Sequence, residues 1–149
     1  MRIYLDSCCY NRPYDDQTQI RINLETQAKL YIQDLIRKHE VDLVTSYILE
    51  YENTRNRREM QREAIRRFID DNGSIRVSER WIPEAEKIAS EIQATGIKEK
   101  DSLHLACALL AQCDYFISTD DRLLKYKTDH MQLVTPTEFI QVWEVRNDG

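Results

Sequence analysis

Short β-prone stretches alternate with helical ones from one end of this chain to the other, and that alternation limits the fold more than any composition figure. The stretches are "RIYLD" (2–6), "VDLVT" (41–45), "SIRV" (74–77), "YFIST" (115–119) and "QLVTP" (132–136). The spacing predicts a helix over 18–38, with Ile20, Leu24, Ala28, Tyr31 and Leu35 on one face. Ser46 is placed to cap a helix carrying Tyr47, Ile48 and Leu49 in its first turn. A helix over 58–70 stops at "DDNG", and another runs from Pro83 to Gly96. "DSLHLACALLAQC" (101–113) is apolar nearly all round and reads as a buried helix. "DDRLLKY" (120–126) reads as a short helix, and "TPTE" (135–138) as a capping box that opens the last one. Strands joined through helices require right-handed crossovers, hence an α/β fold with a mostly parallel sheet covered on both faces. A chain of 149 residues suits one domain, 1–149.

Ligands bind such sheets at the strand C-terminal edge, where this sequence places acids. Asp6 ends the first strand, and Asp120 follows "YFIST". Glu50 sits about one turn into the helix after "VDLVT", and Asp101 opens the buried helix, where the helix dipole favours an anion. Each has an ordinary reading by itself. Asp6 is then an acid satisfied by backbone amides, Glu50 a solvated helix residue, Asp101 a first-turn anion and Asp120 a turn residue. Together, four carboxylates on one rim repel one another and call for a cation. A donor set of hard oxygens suits Mg²⁺ or Mn²⁺ rather than zinc. Such an ion activates water and stabilises charge developing on a phosphate, the work of acidic metal sites in nucleases. His104, on the apolar helix, reads as a packed, hydrogen-bonded core residue, and Asp15 and Asp16 as members of a polar turn.

The remaining chemistry narrows the class. Cys8 and Cys9 are adjacent, Cys107 and Cys113 lie six apart, and no C-x-x-C occurs, so neither a zinc knuckle nor a thioredoxin-like motif is present. No apolar run is long enough for a membrane span and no signal peptide is evident, so a cytoplasmic, non-membrane protein is expected. The net charge of −5 argues mildly against nucleic acid as a partner. Locally the balance reverses: "TRNRREMQREAIRRF" holds six arginines against two glutamates. If 55–66 is one helix, Arg55, Arg58, Arg62 and Arg66 lie within about 80° of one another, opposite Met60, Ala64 and Phe68. That ridge is either a solvated face partly neutralised by Glu59 and Glu63 or a contact for an RNA backbone or an acidic partner. Arg12, close in sequence to Asp6, is a further candidate to meet a phosphate.

"IYLDSCCYNRP", "VTSYILEYE", "KEKDSLHLACAL", "FISTDDRLL" and "LVTPTEF" resemble, in order and spacing, the successive motifs of PIN-domain ribonucleases. The resemblance spans essentially the whole chain. It implies a three-layer α/β/α fold and a Mg²⁺- or Mn²⁺-dependent endoribonuclease that leaves 5′-phosphate and 3′-hydroxyl ends. It further implies an RNA substrate, an antitoxin partner if the chain is a toxin of a toxin–antitoxin pair, and a homodimer, as is common in the family. The family's acids fall on Asp6, Glu50, Asp101 and Asp120, and its supporting hydroxyls on Ser7 and Ser118. Asp121 is left as a group behind the metal ligands or as a helix cap, and the 10–17 loop lies outside the general pattern. Two other readings stand beside this one. One is a non-catalytic PIN-like protein that binds RNA or an antitoxin-type peptide. The other is a receiver-like phosphoacceptor, in which Glu50 and the acid-bearing helix have no role.

Overall fold

The structure, a computed structural model, describes residues 1–148. β1 (Arg2–Leu5), β2 (Asp42–Ser46), β3 (Gly73–Val77), β4 (Tyr115–Ile117) and β5 (Gln132–Val134) form one sheet in the order β3-β2-β1-β4-β5. Every pairing is parallel. The chain steps outward from β1 to β3 on one side, then crosses back to place β4 on the other side of β1. The order therefore reverses between β1 and β4, where Leu5 pairs with Ile117. In a sheet of this kind the crevice beyond that pair is the natural ligand position.

Alternation along the strands divides the core. Ile3, Leu5, Leu43 and Ile117 pack on one face with residues of α1 (Ser7–Asn11), α2 (Ile20–Arg37), α3 (Tyr47–Thr54), α4 (Glu59–Asn72) and α7 (Pro136–Asp148). Tyr4, Val44 and Phe116 turn to the other face, against α5 (Ile82–Gln93) and α6 (Glu99–Leu110). Small residues in α6 (Ala106, Cys107 and Ala108, all fully buried) allow close approach to the sheet and to Ala85 and Ala89 of α5. Gly73 joins α4 directly to β3. A Cβ there would lie 2.9 Å from the Ile69 carbonyl oxygen and 3.0 Å from Thr45 Cγ2, so only glycine fits.

Several local expectations give way to packing. The segment after Asp6 is a short helix, α1, followed by a 3₁₀ turn at Arg12–Tyr14, because the Asp6 side chain accepts from the Ser7 amide and starts the helix. Helix α2 buries Ala28, Ile32, Leu35 and Ile36, while Ile20, Leu24 and Tyr31 lie exposed. Two apolar stripes compete on this helix, and the one that meets the sheet wins. The arginine-rich segment is not one helix: α3 ends at Thr54 and α4 begins at Glu59, leaving Arg55 in the connection and Arg58 at the α4 N-cap. Met60, expected on the buried face, is 89% exposed, and Ile65, Phe68 and Ile69 bury instead. "DDRLLKY" forms only a 3₁₀ turn, Leu123–Lys125.

Candidate active site

Three aspartates reach the crevice beyond β1 and β4 from three separate elements. Asp6, 5% exposed, is held on both oxygens: Ser7 N donates to Oδ1 at 2.9 Å and Ser118 Oγ to Oδ2 at 2.9 Å. Ser118 Oγ also accepts from the Asp120 amide at 3.0 Å, so one hydroxyl ties the two strand ends together. Asp120 accepts from the Arg122 amide at 2.9 Å, which makes it the cap of the following turn as well as a rim acid. Asp101 stands half-buried in the first turn of α6. Burial first, then the charges of Asp6 and Asp120, push its carboxyl up to about 6. The three acids thus feel one another electrostatically.

The fourth acid is Glu52, not Glu50. Glu50 is turned away and forms a two-pronged pair with Arg76 at 2.6 and 2.9 Å, with Glu79 on the same guanidinium. The reason is helical phase. Ser46 caps α3, and Ile48 and Leu49 are its buried residues. At about 100° per residue Glu52 falls between those two in projection, whereas Glu50 lies on the opposite face. Sequence reading missed Glu52, although the same projection would have selected it.

Glu52 accepts from Ser7 Oγ and, at 2.8 Å, meets His104 Nε2. Burial would raise its carboxyl, but the hydrogen bond and charge of His104, with the Ser7 hydroxyl, hold it below the ordinary range. His104 is fully buried, as expected of a core residue, yet it connects the core to the rim. Its Nδ1 lies 2.6 Å from the Tyr4 hydroxyl, which is 2.6 Å from Ser46 Oγ. With a neutral ring, Tyr4 donates to Nδ1 and Nε2–H donates to Glu52; with an imidazolium, the Tyr4 hydroxyl turns to donate to Ser46. Burial lowers the His104 pKa, but the Glu52 hydrogen bond and the charges of Asp6 and Glu52 outweigh it and raise the ring above its usual value.

An open cleft of about 580 Å³ faces solvent here, lined by Glu52, Asp101 and Asp120 together with Arg55, Lys98 and Lys100. The two lysines, unmarked in the sequence reading, flank Asp101 at the start of α6. Of the arginines singled out, only Arg55 reaches this cleft, with its guanidinium hydrogen-bonded to the Tyr51 hydroxyl at 3.0 Å. Arg58 has its backbone amide bound by Asn56, and Arg62 turns its guanidinium to the Asn56 carbonyl. Arg12 does not face Asp6: it binds Glu25 at 2.8 and 3.0 Å and Asp15 at 3.1 Å, because Glu25 is nearly fully buried and takes the nearest guanidinium. Asp121 is neither a helix cap nor a support for the aspartates; it is exposed and paired with Arg21 at 2.8 Å.

The donors around the crevice are carboxylate oxygens, the chemistry of a Mg²⁺ or Mn²⁺ site. Burial of Asp101, together with the like charges of Asp6 and Asp120, is the cost that such an ion would offset. As they lie, however, no group of three His, Cys, Asp or Glu among the described residues is gathered closely enough to enclose a metal. The residues fit the ion by charge and donor type, in a loose arrangement rather than a closed cage.

No protein-family model matches the sequence, and no curated protein does. Solved structures do match the fold. VapBC2 from Rickettsia felis, bound to a DNA fragment from the promoter, aligns with a TM-score of 0.57 at 12% identity over 89% of this chain and 97% of that one. FitAcB from Neisseria gonorrhoeae aligns with a TM-score of 0.53 at 15% identity over 91% and 98%. The chain shares the fold of these two structures. At these identities the likeness is one of architecture: a five-stranded parallel sheet between helices. None of the described helices is long and apolar enough to cross a membrane.

Proposed function

We propose that the chain is a divalent-metal-dependent endoribonuclease of the PIN type, the toxin of a toxin–antitoxin pair, working in the cytoplasm. One observation supports this reading: Asp6, Asp101 and Asp120 approach the crevice where the strand order reverses, and Asp101, raised to about 6 chiefly by burial, also feels the charges of the other two. Asp6, Asp101 and Asp120, with Glu52 beside them, would hold a Mg²⁺ or Mn²⁺ ion, which would supply a polarised water and neutralise charge at the scissile phosphate. The chain's own residues do the rest. Ser7 and Ser118 fix Asp6, and His104 and Ser7 fix Glu52. Lys98, Lys100 and Arg55 line the same cleft and offer cationic contacts to RNA phosphates on either side of the bond to be cut. The proposed protein partners are an antitoxin and a second copy of the chain, and exposed Ile20, Leu24 and Tyr31 on α2 leave apolar surface for such contacts.

The test is cleavage of labelled RNA with and without Mn²⁺, with Asp6→Asn as the control. Mn²⁺-dependent cutting that disappears in the variant supports the proposal. Equal cutting by both proteins removes the mechanism. Metal-independent RNA binding without cleavage leaves the non-catalytic binding reading in its place.

A further inference from the structure

A second charged site lies away from the rim, between α2 and α4 on the sheet face that carries Ile3, Leu5 and Ile117. It is a cavity of about 370 Å³, the size of a small-ligand pocket. Lys29 reaches it from α2 with only 6% exposure. A buried ammonium is normally paired with a carboxylate. Here, among the described residues, the polar partner of Lys29 Nζ is the neutral Gln33 Oε1, at 2.6 Å. The rings of Tyr10 and Phe68 each lie with centroids 5.7 Å away and stabilise the charge without accepting its remaining hydrogens. The second observation is independent. The Tyr10 hydroxyl, on a residue 1% exposed that lines the same cavity, has no hydrogen-bond partner. Unpartnered buried hydroxyls are rare because the lost hydration is not replaced.

The other charged residues lining the cavity are Arg37, Arg67 and Asp71. Arg37 stands over the Phe68 ring, its guanidinium carbon 5.4 Å from the centroid. Three cations against one acid leave two positive charges, matching a doubly charged phosphate monoester better than a carboxylate. Tyr14 and Leu30, both nearly half exposed, give the mouth an apolar wall against which a planar body can lie.

We infer that the α2–α4 cavity binds a small phosphate monoester, with Lys29, Arg37 and Arg67 supplying charge and the Tyr10 hydroxyl a hydrogen bond. The site shares no lining residue with the acidic cleft, and the inference holds whether or not the rim cuts RNA.

The experiment is calorimetric titration of the full chain, free of divalent metal, with adenosine 5′-monophosphate, inorganic phosphate and benzoate. The variants are Lys29→Met, which keeps the apolar stem, and Tyr10→Phe, which keeps the ring. Expected are saturable binding of the monophosphate, weaker binding of inorganic phosphate and none of benzoate. Lys29→Met should weaken the monophosphate about tenfold and Tyr10→Phe several-fold, the losses of a charge-assisted and an ordinary hydrogen bond. No saturable binding up to about 10 mM, unchanged affinity in either variant, or preference for benzoate overturns the assignment.

Discussion

The acidic rim and the α2–α4 cavity both gather charge of one sign, but they hold it differently. At the rim each carboxylate is already addressed by donors: Asp6 by Ser7 and Ser118, Glu52 by Ser7 and His104, Asp120 by the turn it caps. What is left over falls on Asp101, whose charge is penalised by burial first and then by Asp6 and Asp120. In the cavity the charge is under-addressed. Lys29 has a neutral amide and two ring faces, and Tyr10 has no partner for its hydroxyl. The rim is thus organised before anything binds, whereas the cavity is completed by what binds.

The largest expected effect is on activity at the rim. Glu52→Gln should lower Mn²⁺-dependent RNA cleavage by about 100-fold or more, the scale seen when one oriented electrostatic group is lost. Glu50→Gln should leave turnover within about twofold, because Glu50 serves Arg76. Equal loss in both variants would show that the helical-phase argument picks the wrong acid.

Next comes the stability of the cavity. Burial, with the Arg37 charge, lowers the Lys29 pKa from 10.5 to about 8. A lysine whose folded pKa is depressed destabilises the fold fully below pH 8, and the penalty fades as pH rises to 10.5. Lys29→Met should therefore stabilise the chain at pH 7 by up to about 3 kcal/mol, falling toward zero near pH 10.5. Chemical denaturation at both pH values measures this, and a destabilised variant at pH 7 would mean that the ring and Gln33 contacts outweigh desolvation.

The rim counterpart is smaller. Asp101, raised from 3.8 to about 6, contributes a penalty present above pH 6 and absent below 3.8, so wild-type stability should fall as pH climbs between those values. Asp101→Asn should gain about 1 kcal/mol at pH 7 after allowance for solvent screening. Asp6→Asn should show no such gain, because both Asp6 oxygens accept hydrogen bonds. Mn²⁺ at ten times its dissociation constant should stabilise wild type by about 1.4 kcal/mol, and Asp101→Asn by less. An unmoved melting temperature at millimolar Mn²⁺ would count against the metal site.

The two regions also differ in how far they could be read from sequence. The rim aspartates were legible because strand ends and a helix start are marked by local patterns, and the parallel topology then fixes which edge they share. Glu52 was equally legible in principle, through its phase with Ile48 and Leu49. Nothing local marks the cavity. Lys29 reads as one more solvated residue on a long helix, and its burial arises only when α2 meets α4. The same cause hid the pairing of Arg12, whose partner Glu25 lies thirteen residues on. Patterns of period 3.6 also misjudged α2 and the arginine segment, where two stripes competed or a cap at residue 58 broke the run.

The hydrogen bond between Asp6 and Ser118 spans 112 positions of the chain. A loop of that length must close before β4 can dock beside β1, and its closure entropy counts against the crevice until the strands pair. Asp6 and Glu52 precede α4 and β3 along the chain, whereas Asp120 follows β4, so the rim acids are separated by most of the sheet. Under the proposed function, a chain lacking β4 would hold only part of the acid set, with Asp6 missing its Ser118 partner.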